Sequence, residues 1–287
     1  MTYPELWRRL AKTYGDGEAK AISRWLLEAR FGLSATDIYC GRLEQLGASE
    51  LEELEGLVQR LEKSEPVQYV LGTADFCGRA FHVESGVLIP RPETAELCQW
   101  IIESEKHGRR HEACRMLDIG TGSGCIAITL ALDIAQAAVT AWDISQKALR
   151  IASDNAKTLG ADVAFERCDV LDEALLRCNP PHPVWDVIVS NPPYIDEAAE
   201  RAAMDCNVLD YEPHEALFGP AGEPDLFYRR IGDYAIRSLR QGGNLYFELN
   251  PRMADSTVAY LSKNGFRDVE VRQDQFGKPR MLKATKP

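Results

Sequence analysis

Two consecutive prolines, Pro192 and Pro193, stand one residue behind the apolar, β-branched run Trp185-Asp186-Val187-Ile188-Val189-Ser190. The run reads as a buried parallel strand. Neither proline has an N–H to give to a sheet ladder, so the chain must leave the sheet there. That exit lies at the C-terminal end of a strand, where open α/β sheets place their ligands. The turn Asn191-Pro192-Pro193-Tyr194 leaves free the Asn191 side-chain amide, the Pro192 carbonyl and the Tyr194 ring. This set suits a planar –NH2 group: two acceptors take its two hydrogens while an aromatic face stacks on its plane. In isolation the four residues read better as no more than a rigid turn.

The context of the turn is a regular alternation. Strands are expected at 115–119, 138–142, 163–168, 185–190, 243–249, 269–272 and 280–284, and helices at 123–132, 145–159, 226–239 and 251–263. Such a pattern implies an α/β, doubly wound, mostly parallel sheet. The last two strands have no helix between them and are expected to form an antiparallel edge pair.

Upstream, residues 1–64 read as a small all-α bundle. Residues 18–31 place Ala21, Ile22, Trp25, Leu26 and Ala29 on one helical face, with Asp16 or Gly17 capping the start and Gly32 ending it. Ser49-Glu50-Leu51-Glu52 reads as a capping box ahead of the stripe Leu51, Leu54, Leu57, Val58 and Leu61. The bundle serves either as a stabilising cap or as a docking surface for a protein partner. Residues 65–90 read as a β-hairpin linker, with strands at 67–72 and 79–83 around Gly78. Residues 91–287 form the larger domain. Its entry, Ile89-Pro90-Arg91-Pro92-Glu93-Thr94, restricts Arg91 between two prolines and opens a helix through Leu97, Trp100 and Ile101.

The formal charge of −11 argues against a sequence-independent grip on a phosphate backbone. Arg109-Arg110 reads as a solvated loop. Eight cysteines, among them Cys178, are scattered without a C-x-x-C pair, which points to reduced thiols in a cytoplasmic protein and gives no metal site. The N-terminus has no apolar core of a signal peptide, and no stretch approaches the ~20 apolar residues of a membrane span.

The first strand of the larger domain runs into Leu117-Asp118-Ile119-Gly120-Thr121-Gly122-Ser123-Gly124. Glycines at a strand-to-helix turn let backbone approach a ligand and leave helix N-terminal N–H groups for a carboxylate. Such turns also serve only to pack a strand on a helix. Here Asp143 ends the next strand, where an acid accepts both hydroxyls of a ribose. The dinucleotide fingerprint is Gly-x-Gly-x-x-Gly. This chain has Gly-x-Gly-x-Gly behind Asp118, and a carboxylate there repels a pyrophosphate but suits a sulfonium and an α-ammonium. S-adenosylmethionine fits better than a dinucleotide. Gly120, Thr121, Gly122, Ser123, Gly124 and Asp118 are the candidate loop contacts. Asp169 and Val170 sit where an adenine edge arrives, though Asp169 reads equally well as a surface-turn aspartate.

Loop and turn make one chemical argument. A carboxamide nitrogen is a poor nucleophile because its lone pair is delocalised. Acceptors at Asn191 and Pro192 that bind both hydrogens in the attacking geometry favour the transition state, and in-line positioning contributes about 7–11 kcal/mol in favourable systems. No strong general base is needed; His182 and His214 read as ordinary loop residues.

These residues resemble the bacterial release-factor glutamine methyltransferases. The resemblance runs through Pro66-Val67-Gln68-Tyr69-Val70-Leu71-Gly72, the Ile89–Thr94 segment, the Asp118–Gly124 loop, Asp143-Ile144-Ser145, Val189–Ile195, Glu212-Pro213 with Ala216-Leu217, Gly242-Gly243 and Glu248. It implies a seven-stranded class I methyltransferase sheet, with Gly120–Gly124 and Asp143 on S-adenosylmethionine and Asn191–Tyr194 on the substrate. That substrate is the glutamine of the Gly-Gly-Gln tip of class I peptide-chain release factors. The helical domain contacts the release factor, S-adenosylhomocysteine is the second product, and a monomer is expected. The chain departs from the family pattern at Val170, often aromatic, at Ala95, where a second acid is expected, and at Asn250, where glycine is frequent. Rival readings are amine methylation of a flipped nucleic-acid base and a non-catalytic binding module.

Overall fold

A computed structural model of the chain describes residues 1–106, 113–177 and 184–287. Arg109-Arg110, Cys178 and His182 lie outside the described residues. Two compact units emerge, one of Met1–Thr73 with Asp205–Tyr211 and one of Ala74–Met204 with Glu212–Pro287.

The first unit holds helices α1 (Tyr3–Tyr14), α2 (Asp16–Phe31), α3 (Ala35–Tyr39), α4 (Ala48–Glu62) and α5 (Val67–Leu71). Leu6 and Leu10 of α1, Leu26 and Leu27 of α2, and Leu54, Val58 and Leu61 of α4 share one core. The buried stripe of α2 is Ala19, Ile22, Ser23, Leu26 and Leu27. Ala21 and Ala29, expected on that face, are exposed; a methyl group carries too little apolar area to turn a helix against Leu27. Gly32 ends α2 in the left-handed region at φ 64°, whereas the start is capped by Gly15 with Asp16 as first helical residue. The expected capping box at Ser49 is displaced. Helix α4 starts at Ala48, and the Glu50 carboxylate takes the Gly47 N–H at 2.8 Å.

The strand expected at 67–72 is helix α5. The Pro66 carbonyl accepts the Tyr69 and Val70 N–H groups at 2.9 and 3.0 Å, and Gly72 ends the turn at φ 71°. The Arg60 guanidinium donates to the Tyr69 and Val70 carbonyls, satisfying acceptors that the short helix leaves open. A run of this length is apolar enough for either structure, and a local sequence pattern does not encode the contact that Arg60 makes with α5 from α4.

Strands β1 (Thr73–Phe76) and β2 (Arg79–His82) form a two-stranded hairpin. Its two-residue loop, Cys77-Gly78, has φ of 48° and 74°, as a type I′ hairpin turn requires.

In the second unit follow α6 (Pro92–Lys106), β3 (Cys114–Ile119), α7 (Cys125–Asp133), β4 (Ala137–Asp143), α8 (Gln146–Leu159), β5 (Val163–Arg167), α9 (Glu173–Arg177) and β6 (Trp185–Ser190). Then come α10 (Glu197–Glu200), α11 (Cys206–Tyr211, in the first unit), α12 (His214–Leu217), α13 (Leu226–Ser238), β7 (Leu239–Glu248), α14 (Ala254–Lys263), β8 (Arg267–Gln273) and β9 (Pro279–Thr285). His214, expected in a loop, opens α12. The stretch expected to be helical from residue 251 begins with a 3-10 turn, Pro251–Met253, before α14.

The sheet is seven-stranded, in the order β5-β4-β3-β6-β7-β9-β8. Strands β5, β4, β3, β6 and β7 run parallel, and β9 pairs antiparallel with both β7 and β8. Leu97 of α6, Ile128 of α7 and Ala156 of α8 share one core cluster, and Tyr228 of α13 and Leu261 of α14 share another. The sheet is thus covered on both faces, the doubly wound arrangement. Its order reverses between β3 and β6, the topological switch point at which such sheets bind ligands. Among the described residues no helix is long and apolar enough to cross a membrane.

Candidate active site

Strand pairing brings the two sequence motifs together. Ile119 is the register partner of Ser190, so the glycine loop and the Asn191 turn leave the sheet side by side. A cavity of about 300 Å³ opens there. Gly120, Gly122, Asp143, Asp169, Val170, Asn191, Pro192 and Pro193 all line it. Sequence reasoning missed Val87, Leu88, Ile144, Glu215 and Phe227, which also line it. The apolar side chains of Val87, Leu88, Ile144 and Phe227 carry no chemical signature that marks a binding residue in advance, and Glu215 reads as one more exposed helix acid.

Asp118, Thr121, Ser123, Gly124 and Tyr194 are not among the residues lining this cavity. Asp118 is fully enclosed. Its Oδ2 accepts the Thr121 hydroxyl at 2.7 Å and the Ala127 N–H at 3.2 Å, while no donor among the described residues reaches Oδ1. Burial pushes its carboxyl up to about 7. Asp118 therefore shapes the glycine loop from beneath. Thr121 and Ser123 are also buried. At Gly124 an added Cβ would come within 2.9 Å of Ile128 Cδ1 and 3.0 Å of Ala152 Cβ, so this glycine lets α7 approach α8 closely.

Asp143 ends β4 with both oxygens engaged. Oδ2 accepts the Gly122 N–H at 2.9 Å and Oδ1 the Ser145 N–H at 2.8 Å. Gly122 reaches this position at φ 56°, with nothing within 4 Å of where a Cβ would stand. Burial raises the Asp143 carboxyl, opposed by these two N–H donors. Each oxygen keeps a lone pair for a further donor. An open glycine backbone, a carboxylate with spare acceptor capacity and an apolar wall fit a nucleoside bearing a short charged chain. Asp169 turns its Oδ1 to the Leu171 N–H at 2.9 Å, and Val170 is buried.

The Asn191 turn is held by residues distant in sequence. Asn191 Nδ2 donates to Thr94 Oγ1 at 3.2 Å. The Thr94 hydroxyl donates to Glu248 Oε2 at 2.5 Å, and the Tyr194 hydroxyl to Glu248 Oε1 at 2.9 Å. Asn250, where the family often has glycine, donates through Nδ2 to the Tyr194 carbonyl at 3.1 Å and to Glu200 Oε1 at 2.8 Å. Burial raises the Glu248 carboxyl, opposed by its Thr94 and Tyr194 hydrogen bonds and by Arg280. Burial and the Glu248 charge push the Tyr194 hydroxyl well above its ordinary range. Arg91 donates to Glu212 Oε1 at 2.5 Å, and the Ile89 N–H to Glu212 Oε2 at 3.1 Å.

The fold is similar to that of a methyltransferase from Pyrococcus furiosus, with a TM-score of 0.51 at 18% identity over 73% of this chain and 90% of that one. Sheet order, glycine loop and switch-point cavity define a class I methyltransferase. Residues 6–72 match the PrmC N-terminal domain and residues 105–210 the methyltransferase small domain. The release factor glutamine methyltransferase of Bacteroides thetaiotaomicron is 46% identical over 277 residues, covering 96% of each chain. That of Flavobacterium psychrophilum is 38% identical over 274 residues, covering 96% of this chain and 94% of its own. The chain belongs to the release factor glutamine methyltransferase family.

Proposed function

We propose that this enzyme transfers a methyl group from S-adenosylmethionine to the side-chain amide nitrogen of the glutamine in the Gly-Gly-Gln tip of class I peptide-chain release factors, modulating translation termination. The observation that carries the reading is that Asn191, with its Nδ2 already given to Thr94, lines the same cavity as Gly120, Gly122 and Asp143. Asp143 and the Gly120–Gly124 loop hold the methyl donor, which supplies an electrophilic methyl group on a sulfonium and leaves as S-adenosylhomocysteine. Asn191 Oδ1 and the Pro192 carbonyl bind the two hydrogens of the substrate amide, and the Tyr194 ring limits the plane it occupies. These acceptors favour the nitrogen as it becomes tetrahedral, and the fixed turn sets its direction of approach. The nitrogen loses its proton after transfer, when it is far more acidic, so Asn191 and Pro192 need remove none. The first unit engages the body of the release factor, and the reaction takes place in the cytoplasm, with the enzyme a monomer.

The test is labelled S-adenosylmethionine offered with a purified release factor, with a tip variant carrying alanine for glutamine, and with structured nucleic acid. Label on the intact release factor alone is expected. Label on nucleic acid with none on protein would overturn the reading.

A further inference from the structure

We infer that Glu248, acting through Thr94, fixes the hydrogen-bond polarity of the Asn191 turn so that Asn191 meets the substrate as an acceptor. The inference rests on the amide-methylation reading above. Both residues are positioning residues.

The argument is a chain of donors and acceptors with one consistent solution. Glu248 is buried at the end of β7, with a hydroxyl donor on each carboxylate oxygen. A hydroxyl has a single hydrogen. Once Thr94 directs it to Glu248, Thr94 Oγ1 has only lone pairs left to offer. The Asn191 amide must then turn Nδ2 toward Thr94, the 3.2 Å contact observed. Its Oδ1 is left for the cavity. The opposite orientation would set Oδ1 against an oxygen without a hydrogen to give and present an –NH2 group to the substrate –NH2.

The same carboxylate holds the other end of the turn. Its Oε1 accepts the Tyr194 hydroxyl, while Asn250 Nδ2, two residues on, donates to the Tyr194 carbonyl. Asn250 cannot reverse its own amide, because its Oδ1 accepts the Arg252 N–H at 3.0 Å and its Nδ2 also reaches Glu200. The end of β7 thus grips both the first and last residues of the Asn191–Tyr194 turn.

Three variants test the relay. Thr94→Val keeps the shape of the side chain and removes the hydroxyl; kcat for release-factor methylation should fall about a hundred-fold, with donor affinity unchanged within two-fold. Thr94→Ser restores the hydroxyl and should return kcat to within about three-fold of wild type. Glu248→Gln leaves one acceptor for two hydroxyls; with its –NH2 toward Thr94 it sends the hydroxyl hydrogen to Asn191 and inverts the amide, and kcat then falls as in Thr94→Val, whereas with its oxygen on Thr94 it keeps the relay and kcat. A Thr94→Val enzyme within three-fold of wild type overturns the inference, as does equal loss in Thr94→Ser. Should Thr94→Val or Glu248→Gln fail to fold, wild type crystallised with a glutamine-bearing tip peptide decides the matter. Asn191 Oδ1 on the substrate nitrogen supports the relay, and Nδ2 there overturns it. If wild type methylates no glutamine at all, it is the proposed function that falls, a result separate from any ratio between variants.

Discussion

Ser190 Oγ donates to the Ile119 carbonyl at 2.7 Å, and the same two residues are register partners across the parallel pair β3–β6. This bond ties the two strands at the last position before each turns into the cavity. Ser190→Ala removes a buried hydrogen bond worth about 1 kcal/mol. The melting temperature should fall by about 2–4 °C, measured by calorimetry. An unchanged melting temperature would show that the two strand ends need no such tie.

Asn191→Ala removes the acceptor on which the proposed amide positioning depends. By analogy with the loss of one preorganised hydrogen-bonding group, kcat should drop about 10²–10³-fold. Donor binding, read by calorimetric titration, should persist. A variant that neither folds nor binds donor would make Asn191 a structural residue.

Asp143→Ala removes an acceptor at the end of β4 and also frees the Gly122 and Ser145 N–H groups it now holds. Hydrogen bonds to charged groups contribute about 1.5–3 kcal/mol, so donor affinity should weaken about ten- to a hundred-fold. Undiminished affinity would remove Asp143 from the binding site.

Asp118 gives a dependence on pH. Its carboxyl titrates near 3.8 when exposed and at about 7 in the fold. Between those values the unfolded chain has released a proton that the folded chain keeps. The folded state is therefore favoured below about pH 4, and that contribution is lost as pH rises toward 7, at no more than about 1.4 kcal/mol per pH unit. In urea denaturation without donor, the stability of wild type relative to Asp118→Asn should decline from pH 5 to pH 7. A difference that stays flat would show that Asp118 is not protonated in the fold.

Elements with a long periodic signal were legible in the sequence. Trp185–Ser190 ends where the prolines demand, and the antiparallel partnership of β8 and β9 follows from the absence of a helix between them. The run at 67–72 was not, because the deciding contacts come from Pro66 and from Arg60 on another helix. Placement of Asn191 beside the glycine loop followed from fold class. The contacts of Thr94 with Glu248, 154 residues apart, did not: each residue alone looks like an ordinary helix opener or strand end, and only tertiary folding joins them. Asn250 read as a departure from the family pattern, yet its side chain holds the Tyr194 carbonyl, a contact that glycine has no atom to make.

The backbone passes between the two compact units at Thr73/Ala74, again at Met204/Asp205 and a third time at Tyr211/Glu212. The helical unit is therefore not a simple prefix that an engineer can exchange at one splice site. Replacing the helical unit would require rebuilding the Asp205–Tyr211 excursion as well, since its Tyr211 hydroxyl already reaches the Lys63 carbonyl at 2.8 Å. Two discontinuous stretches would have to be swapped as a matched set.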